Sequence, residues 1–86
     1  MQFFVKGKFV FEEMKIYFSR HTRRQMKWRE VAEDEIKDTI LYHEDIEDST
    51  KGRKNAFKHI GNKWLKVTFK QEVDKIIVIT VIDKNK

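Results

Sequence analysis

The sequence has 86 residues, a net charge of +5 and a pI near 9.5, and it contains no cysteine. This length predicts a single domain over residues 1–86 with a small core. The absence of cysteine excludes disulfides, thiolate metal sites and a cysteine nucleophile, and it fits the cytoplasm. No segment reaches the roughly 20 apolar residues of a membrane-spanning helix, so we expect no membrane partner.

Charge is sorted into blocks along the chain. Residues 15–29 carry six cations and no acid, residues 30–48 carry nine acids and one cation, and residues 51–70 carry seven cations and no acid. The basic blocks favour a polyanion or an acidic protein as the partner. For the acidic block we expect a solvated face that also balances the basic blocks, and the alternative is a docking surface for a basic partner.

The N-terminal part alternates between apolar and polar residues. Residues 2–18 predict strands with a turn at residues 6–8, and Ile16 and Phe18 share one strand face. Residues 1–13 are expected to form an N-terminal hairpin, with an early start of the reading frame as the alternative.

Two helices are predicted next. Ser19 is a suitable N-cap for a helix that continues to about Trp28. The second helix is predicted over residues 30–42, because Ile36 and Ile40 recur at helical spacing and acids precede them at the positive end of the helix dipole.

The C-terminal half predicts strands. Residues 43–49 indicate a short edge strand, residues 51–54 a turn, and residues 55–61 a second strand. The stretch "KWLKVTFK" alternates strictly, and "KIIVITVI" is apolar on both faces, as in a central strand. The predicted fold class is therefore α+β, with two helices packed on an antiparallel sheet.

The first helix has two different faces. On a helical wheel, Thr22, Met26 and Arg29 take one side. The opposite side holds four cations within about 100° of each other, namely Arg20, Arg23, Arg24 and Lys27. The cationic side can lie along a phosphate backbone, and the alternative is a solvated face. Trp64 adds a ring that can stack on an unpaired base. The predicted nucleic-acid-binding residues are Arg20, Arg23, Arg24, Lys27, Lys58, Trp64 and Lys70.

A metal-free ribonuclease needs a base for the 2′-hydroxyl, an acid for the leaving oxygen and cations for the phosphate charge. His21, Arg29 and Lys66 are the predicted catalytic residues, provided that the first helix lies beside the strand over residues 64–70. The alternative for His21 is a structural role in the first helical turn. We predict no metal and no cofactor, because the three histidines are far apart and phosphate-loop, dinucleotide and serine-hydrolase motifs are absent.

The segment "FSRHTRRQMKWREV" resembles a pattern, Ser-x-His-Ala-x-x-Arg-Met-x-x-Arg-x-Ile, found in a family of small bacterial and archaeal domains of unknown function. That family is related to the RelE, ParE and BrnT toxins of toxin–antitoxin modules. The strands "KWLKVTF" and "IIVITV" resemble its C-terminal half, so the resemblance covers residues 14–86. The matching residues are Ser19, His21, Met26 and Arg29, with Thr22 in place of Ala and Gln25 in place of Arg.

The resemblance implies a RelE-like fold of two helices on an antiparallel sheet. Relatives of this fold cleave RNA or inhibit DNA gyrase. The resemblance and the sorted charge together lead us to expect a toxin-like RNA-binding protein that acts as a metal-independent endoribonuclease, with RNA and an antitoxin protein as its partners. The first alternative is a non-enzymatic protein-binding module, either a gyrase-type inhibitor or a component neutralised by an antitoxin, and the second is a scaffold without an activity of its own. The sequence is compatible with a monomer or a homodimer.

Overall fold

The structure is a computed structural model that describes residues 15–85. The predicted α+β class is confirmed, whereas the predicted hairpin over residues 1–13 lies outside the described residues. In chain order the elements are β1 (Lys15–Phe18), α1 (Arg20–Arg29), α2 (Glu33–Leu41), β2 (Asp45–Asp48), a 3-10 turn (Thr50–Gly52), β3 (Arg53–Ile60), β4 (Lys63–Gln71) and β5 (Lys75–Asp83).

The five strands form one sheet in the order β1-β5-β4-β3-β2. Neighbouring strands from β2 to β5 are antiparallel, but β1 runs parallel to β5, with Ile16 opposite Ile76. The prediction of an antiparallel sheet is therefore wrong at this edge, and the sheet is mixed. The two helices lie between β1 and the hairpin-connected strands, so the direction of β1 is not set by a tight turn and could not be read from strand alternation.

The second helix begins three residues later than predicted. Glu30 adopts a left-handed backbone conformation (φ 58°) that ends α1, and the N–H of Val31 donates to the carbonyl of Met26 (2.9 Å). This is a common way to terminate a helix. Residues 30–32 therefore separate α1 from α2, and the carboxylate of Glu35 accepts the N–H of Ala32 (3.0 Å) at the new start.

The helices cover one face of the sheet and bury its apolar side chains. Leu65, Val67 and Phe69 of β4 point to this face, as their alternation predicts. The long apolar strand β5 lies between β1 and β4, which confirms its central place. The core consists of Met26, Val31, Ile36, Ile40, Ala56, Leu65, Val67, Phe69, Ile76, Val78 and Val81.

The other side of the sheet, here called the distal face, carries the alternate residues of β3 and β4. Phe57 lies opposite Lys66, and His59 lies opposite Trp64. The helices and the distal face therefore present different side chains on opposite sides of one sheet. This separation decides which of the predicted site residues can meet.

The edge strand β2 is exposed along its whole length and is mostly acidic. Asp45 accepts the N–H of Ile46 through its own carboxylate (2.9 Å). A side chain that occupies an edge N–H, together with like charges, discourages pairing with another strand. No helix within residues 15–85 is long and apolar enough to cross a bilayer.

Candidate nucleic-acid interface

α1 has an inward arc and an outward arc, as the wheel predicts. Thr22 and Met26 are buried, and Gln25 and Arg29 beside them are half-buried. The remaining six residues of the helix are exposed. The outward arc consists of Arg20, His21, Arg23, Arg24, Lys27 and Trp28.

Polar side chains fix the inward arc to β5. The buried Thr22 hydroxyl donates to the carbonyl of Val78 (3.0 Å), and the Gln25 side-chain oxygen accepts the N–H of Val81 (3.0 Å). The pairing of β1 with β5 ends at Phe18 opposite Val78, so within residues 15–85 β5 has no strand neighbour on that side beyond this point. Gln25 thus gives a partner to the Val81 N–H, and the Val78 carbonyl accepts from the Thr22 hydroxyl as well as from the Ser19 N–H (3.2 Å).

The N-cap belongs to the same arrangement. The Ser19 hydroxyl accepts the N–H of Thr22 (3.0 Å) and donates to the carbonyl of Ile79 (3.3 Å), and it lies 2.8 Å from the Thr22 hydroxyl. This confirms Ser19 as the N-cap. Sequence reasoning missed the role of Thr22 and Gln25, although polar residues at the spacing 19, 22 and 25 on the inward side were the available signal.

Three outward cations have no ion pair within residues 15–85, namely Arg20, Arg24 and Lys27. Arg23 differs, because its guanidinium lies over the Phe18 ring (5.4 Å to the centroid) and 3.5 Å from Glu33. The helix therefore presents a row of uncompensated charge. A solvated helix usually pairs some of its cations with acids one turn away, and residues 15–29 contain none.

Trp28 adds an aromatic ring to this row. Its surface is 82% exposed, which is unusual for so large an apolar side chain. Sequence reasoning did not include it, although a tryptophan between two cations at an outward helix position was the signal. Its ring can stack on a base while the neighbouring cations contact phosphates.

The predicted catalytic residues are not brought together by this fold. His21 is exposed on α1, whereas Arg29 is half-buried and its Nε has no hydrogen-bond partner in the described part of the chain. Lys66 lies on the distal face, and α1 packs on β5 and β1 rather than beside β4. The predicted catalytic site of His21, Arg29 and Lys66 required α1 to lie beside the strand over residues 64–70, and α1 does not lie there. The role of each residue taken singly stays a prediction.

The other predicted contact residues also divide between the two sides of the sheet. Lys58 lies on the helix side, where its Nζ donates to the carbonyl of Tyr42 (3.2 Å) at the end of α2. Lys70 lies on the distal face, with its Nζ 3.9 Å from Glu72. Of these two, Lys58 has a clear structural function, because cations stabilise the negative end of a helix dipole.

Aromatic rings cluster on the distal face around Trp64. The Trp64 ring stacks on His59 (3.9 Å between centroids, 27° between planes) and on Phe57 (5.8 Å, 28°). The buried Asp83 carboxylate accepts the Trp64 backbone N–H (3.1 Å) and so fixes the strand at this point. Trp64 itself is half-buried, whereas the His59 side chain is 60% exposed.

A carboxylate orients the histidine of this cluster. Glu44 contacts His59 twice, through its Oε1 at 3.0 Å from Nδ1 and through its Oε2, which accepts the backbone N–H (3.2 Å). These hydrogen bonds from the His59 side chain and backbone hold the pKa of Glu44 below its ordinary value of 4.5. An ionised carboxylate only accepts hydrogen bonds, so Nδ1 carries the proton and Nε2 points away from Glu44.

The fold and its surfaces define a small α+β domain with a basic helix on one side of a mixed sheet and an aromatic, basic face on the other. Within residues 15–85 no group of three His, Cys, Asp or Glu side chains could hold a metal ion.

Residues 18–83 match the model of a family described as "Domain of unknown function (DUF4258)", and the chain belongs to that family. No curated protein and no solved structure matches the chain. The resemblance to an uncharacterised small-domain family is thus confirmed.

Proposed function

We propose that the protein binds single-stranded RNA and that the outward arc of α1 contacts the RNA phosphates. The carrying observation is the row formed by Arg20, Arg24 and Lys27 beside Trp28, since these cations lack ion pairs in the described residues and the ring is 82% exposed. Each phosphate contact displaces counterions, so binding by such a row depends strongly on salt.

The exposed ring favours an unpaired strand over a duplex. Bases inside a duplex are stacked on each other, whereas unpaired bases are free to stack on aromatic side chains. Cations next to a tryptophan are the combination that single-strand binders use to hold the backbone and the base together. RNA is the nucleic acid in which unpaired segments are the usual target of recognition.

The test removes the three cations of the row in one variant, Arg20→Gln with Arg24→Gln and Lys27→Gln. A fluorescent single-stranded RNA of about 15 nucleotides is titrated at several salt concentrations, and its anisotropy is measured. We expect roughly tenfold weaker binding and a slope of log affinity against log salt that is lower by about 2, because each single-strand phosphate contributes about 0.7. Arg23 is left unchanged because it contacts Phe18 and Glu33.

A matched control removes the same charge elsewhere, with Lys15→Gln, Lys37→Gln and Lys51→Gln, since these lysines also have no ion pair within residues 15–85. This variant has the same net charge as the first but keeps the α1 row. Equal weakening in both variants would mean that only net charge matters, and unchanged binding in the α1 variant would refute the proposal.

Two more specific predictions are that the protein is a RelE-like toxin that cleaves RNA, and that it binds an antitoxin protein. They rest on the resemblance of residues 18–31 to the family pattern and on the supply of cations beside His21. New 5′ ends in the same RNA, made without metal by the parent protein and lost with His21→Ala, would support cleavage. RNA binding without new ends would leave a binding protein, and a stable complex with a small partner protein together with no RNA binding would favour the protein-binding alternative.

A further inference from the structure

We propose that the aromatic cluster on the distal face, formed by Phe57, His59 and Trp64, is a second site that binds an unpaired nucleobase of the same RNA strand. The inference rests on the proposed RNA binding and names its substrate class more narrowly, as RNA with accessible bases. It concerns a surface separate from α1, so the two proposals can fail independently.

The rings of the cluster form a prepared stacking platform. Phe57 is 8% exposed and forms the buried base of the platform. The Trp64 ring stacks on both Phe57 and His59, and His59 is the most exposed ring of the three. A base that adds to such a stack meets rings already held nearly parallel, so it does not have to order them. Base–aromatic stacking of this kind tolerates any base, because every base has a π-face.

His59 offers a polar contact at the exposed end of the platform. Glu44 holds Nδ1, so Nε2 is free to form a hydrogen bond with a base edge or a 2′-hydroxyl. The second Glu44 oxygen holds the His59 backbone N–H, which limits rotation of the ring away from the stack. A fixed ring loses less entropy on binding than a mobile one.

Cations and acids lie on different sides of the rings, the cations toward β4 and the acids toward β2. Lys66 lies across from Phe57 and has no ion pair within the described chain, and the Lys84 Nζ lies 5.4 Å from the centroid of the Phe57 ring. Glu44 accepts from His59, and Glu47 accepts from the Asn55 side chain (3.1 Å). Asp45 lies opposite Phe57 on β2, so the acids stand on the β2 side of the rings, and a phosphate adjoining the stacked base is expected on the β4 side, beside Lys66.

The platform lies at the same end of the sheet as the end of α1. The Lys63 Nζ donates to the carbonyl of Glu30, the residue that ends α1 (2.6 Å), and Trp64 is the next residue of β4 on the distal face. An RNA strand that leaves α1 near Trp28 therefore needs only to pass this end of the β-sheet to reach Trp64. A single RNA segment can then engage both surfaces.

The test compares an RNA strand with an abasic strand of the same length and charge. The full chain is titrated with each, with affinity measured by anisotropy and the two tryptophan indole N–H signals followed by NMR. The variant is His59→Leu, and its matched control is His43→Leu, a histidine outside the ring stack that contacts the Ile40 carbonyl (3.0 Å). We expect the RNA strand, but not the abasic strand, to shift the Trp64 indole signal.

We also expect His59→Leu to weaken binding of the RNA strand about tenfold, the effect of roughly one stacked base, and to leave abasic binding unchanged. His43→Leu should bind both strands as the parent does. The inference is overturned if His59→Leu and the parent bind RNA equally, or if the abasic strand shifts Trp64 as much as RNA does. Loss of binding in the α1 variant with no effect of His59→Leu would overturn this site and retain the proposed function, whereas the reverse result would retain this site and overturn the role of α1.

Discussion

α2 packs on β3 and β4 through the apolar side chains of Ile36 and Ile40, whereas α1 contributes Met26 to the core and bonds to β5 through the polar side chains of Thr22 and Gln25. Full burial of an isoleucine contributes about 1.5–3 kcal/mol, and one net hydrogen bond contributes about 0.5–1.5 kcal/mol. α2 is therefore held more strongly per residue, but α1 is held by contacts with a defined direction.

The difference explains how α1 can present its outward cations in one orientation. An apolar helix face can slide or rotate slightly on a sheet, but a hydroxyl and an amide bonded to particular backbone groups of β5 fix the rotation of α1 about its axis. The outward arc is then presented in one orientation. This arrangement suits a binding row, because preorganised side chains lose less freedom when the partner arrives.

The largest effect is expected from weakening the apolar contact of α2. Ile36→Ala should lower the free energy of unfolding by about 2–5 kcal/mol, because Ile36 is fully buried and the substitution leaves a cavity. Denaturant unfolding measures this loss. Val73→Ala is the control, since Val73 is 97% exposed and its truncation should change stability by less than about 0.5 kcal/mol. A loss from Ile36→Ala as small as that of the control would contradict the role given to α2.

A sharper comparison makes the same substitution in both helices, at Thr22 of α1 and Thr39 of α2. Both residues are fully buried. The Thr22 hydroxyl bonds to another element, at Val78, whereas the Thr39 hydroxyl bonds to the Glu35 carbonyl one turn back in its own helix (2.8 Å). Both carbonyls keep a backbone partner when the hydroxyl is removed, because the Glu35 carbonyl receives the N–H of Thr39 and the Val78 carbonyl receives the N–H of Ser19 (3.2 Å). The Thr22 hydroxyl also lies 2.8 Å from the Ser19 hydroxyl, so its removal takes away two hydrogen-bond contacts rather than one.

We therefore expect Thr22→Val to cost about 1–2 kcal/mol of unfolding free energy and Thr39→Val to cost less than about 0.5 kcal/mol. Thermal unfolding of the two variants, which have the same composition, tests this directly. Equal losses would mean that the bonds of α1 to β5 contribute no more than a bond within one helix.

The same contrast shows what the sequence reveals and what it does not. The apolar periodicity of α2 and the alternation of β4 predicted these elements and their buried faces correctly, because burial acts on each residue by type. The docking of α1 depends on where β1 ends beside β5, a long-range fact that no local pattern contains. The left-handed residue Glu30 was missed for a similar reason, since glutamate is not the usual residue for that conformation.

For the candidate site, too, local patterns were predictable from the sequence and long-range packing was not. The outward position of the α1 cations came directly from the helical wheel, since a wheel needs only the local period. The separation of His21 from Lys66 came from the sheet face on which each lies, which depends on the packing of α1 over β5. The stack of His59 on Trp64 required the register of β3 and β4, which places these residues opposite each other.

The smallest expected effect concerns acid, which should act on the contact between Glu44 and His59. Residues 15–29 contain no carboxyl side chain, whereas Glu44 follows α2 and bonds to His59. Because the pKa of Glu44 is lowered in the folded protein, its contribution to stability is complete above the ordinary value of 4.5 and is lost as the pH falls through the folded-state pKa.

NMR titration of the Glu44 carboxyl should therefore give a midpoint below 4.5. In His59→Leu, which removes the side-chain donor, the midpoint should move upward, and a midpoint at or above 4.5 in the parent protein would show that the Glu44–His59 contact does not persist in solution. If the contact does persist, the stability difference between the parent and Glu44→Gln should shrink as the pH falls below 4.5, while the contacts of Thr22 and Gln25 with β5 stay unchanged over the same range.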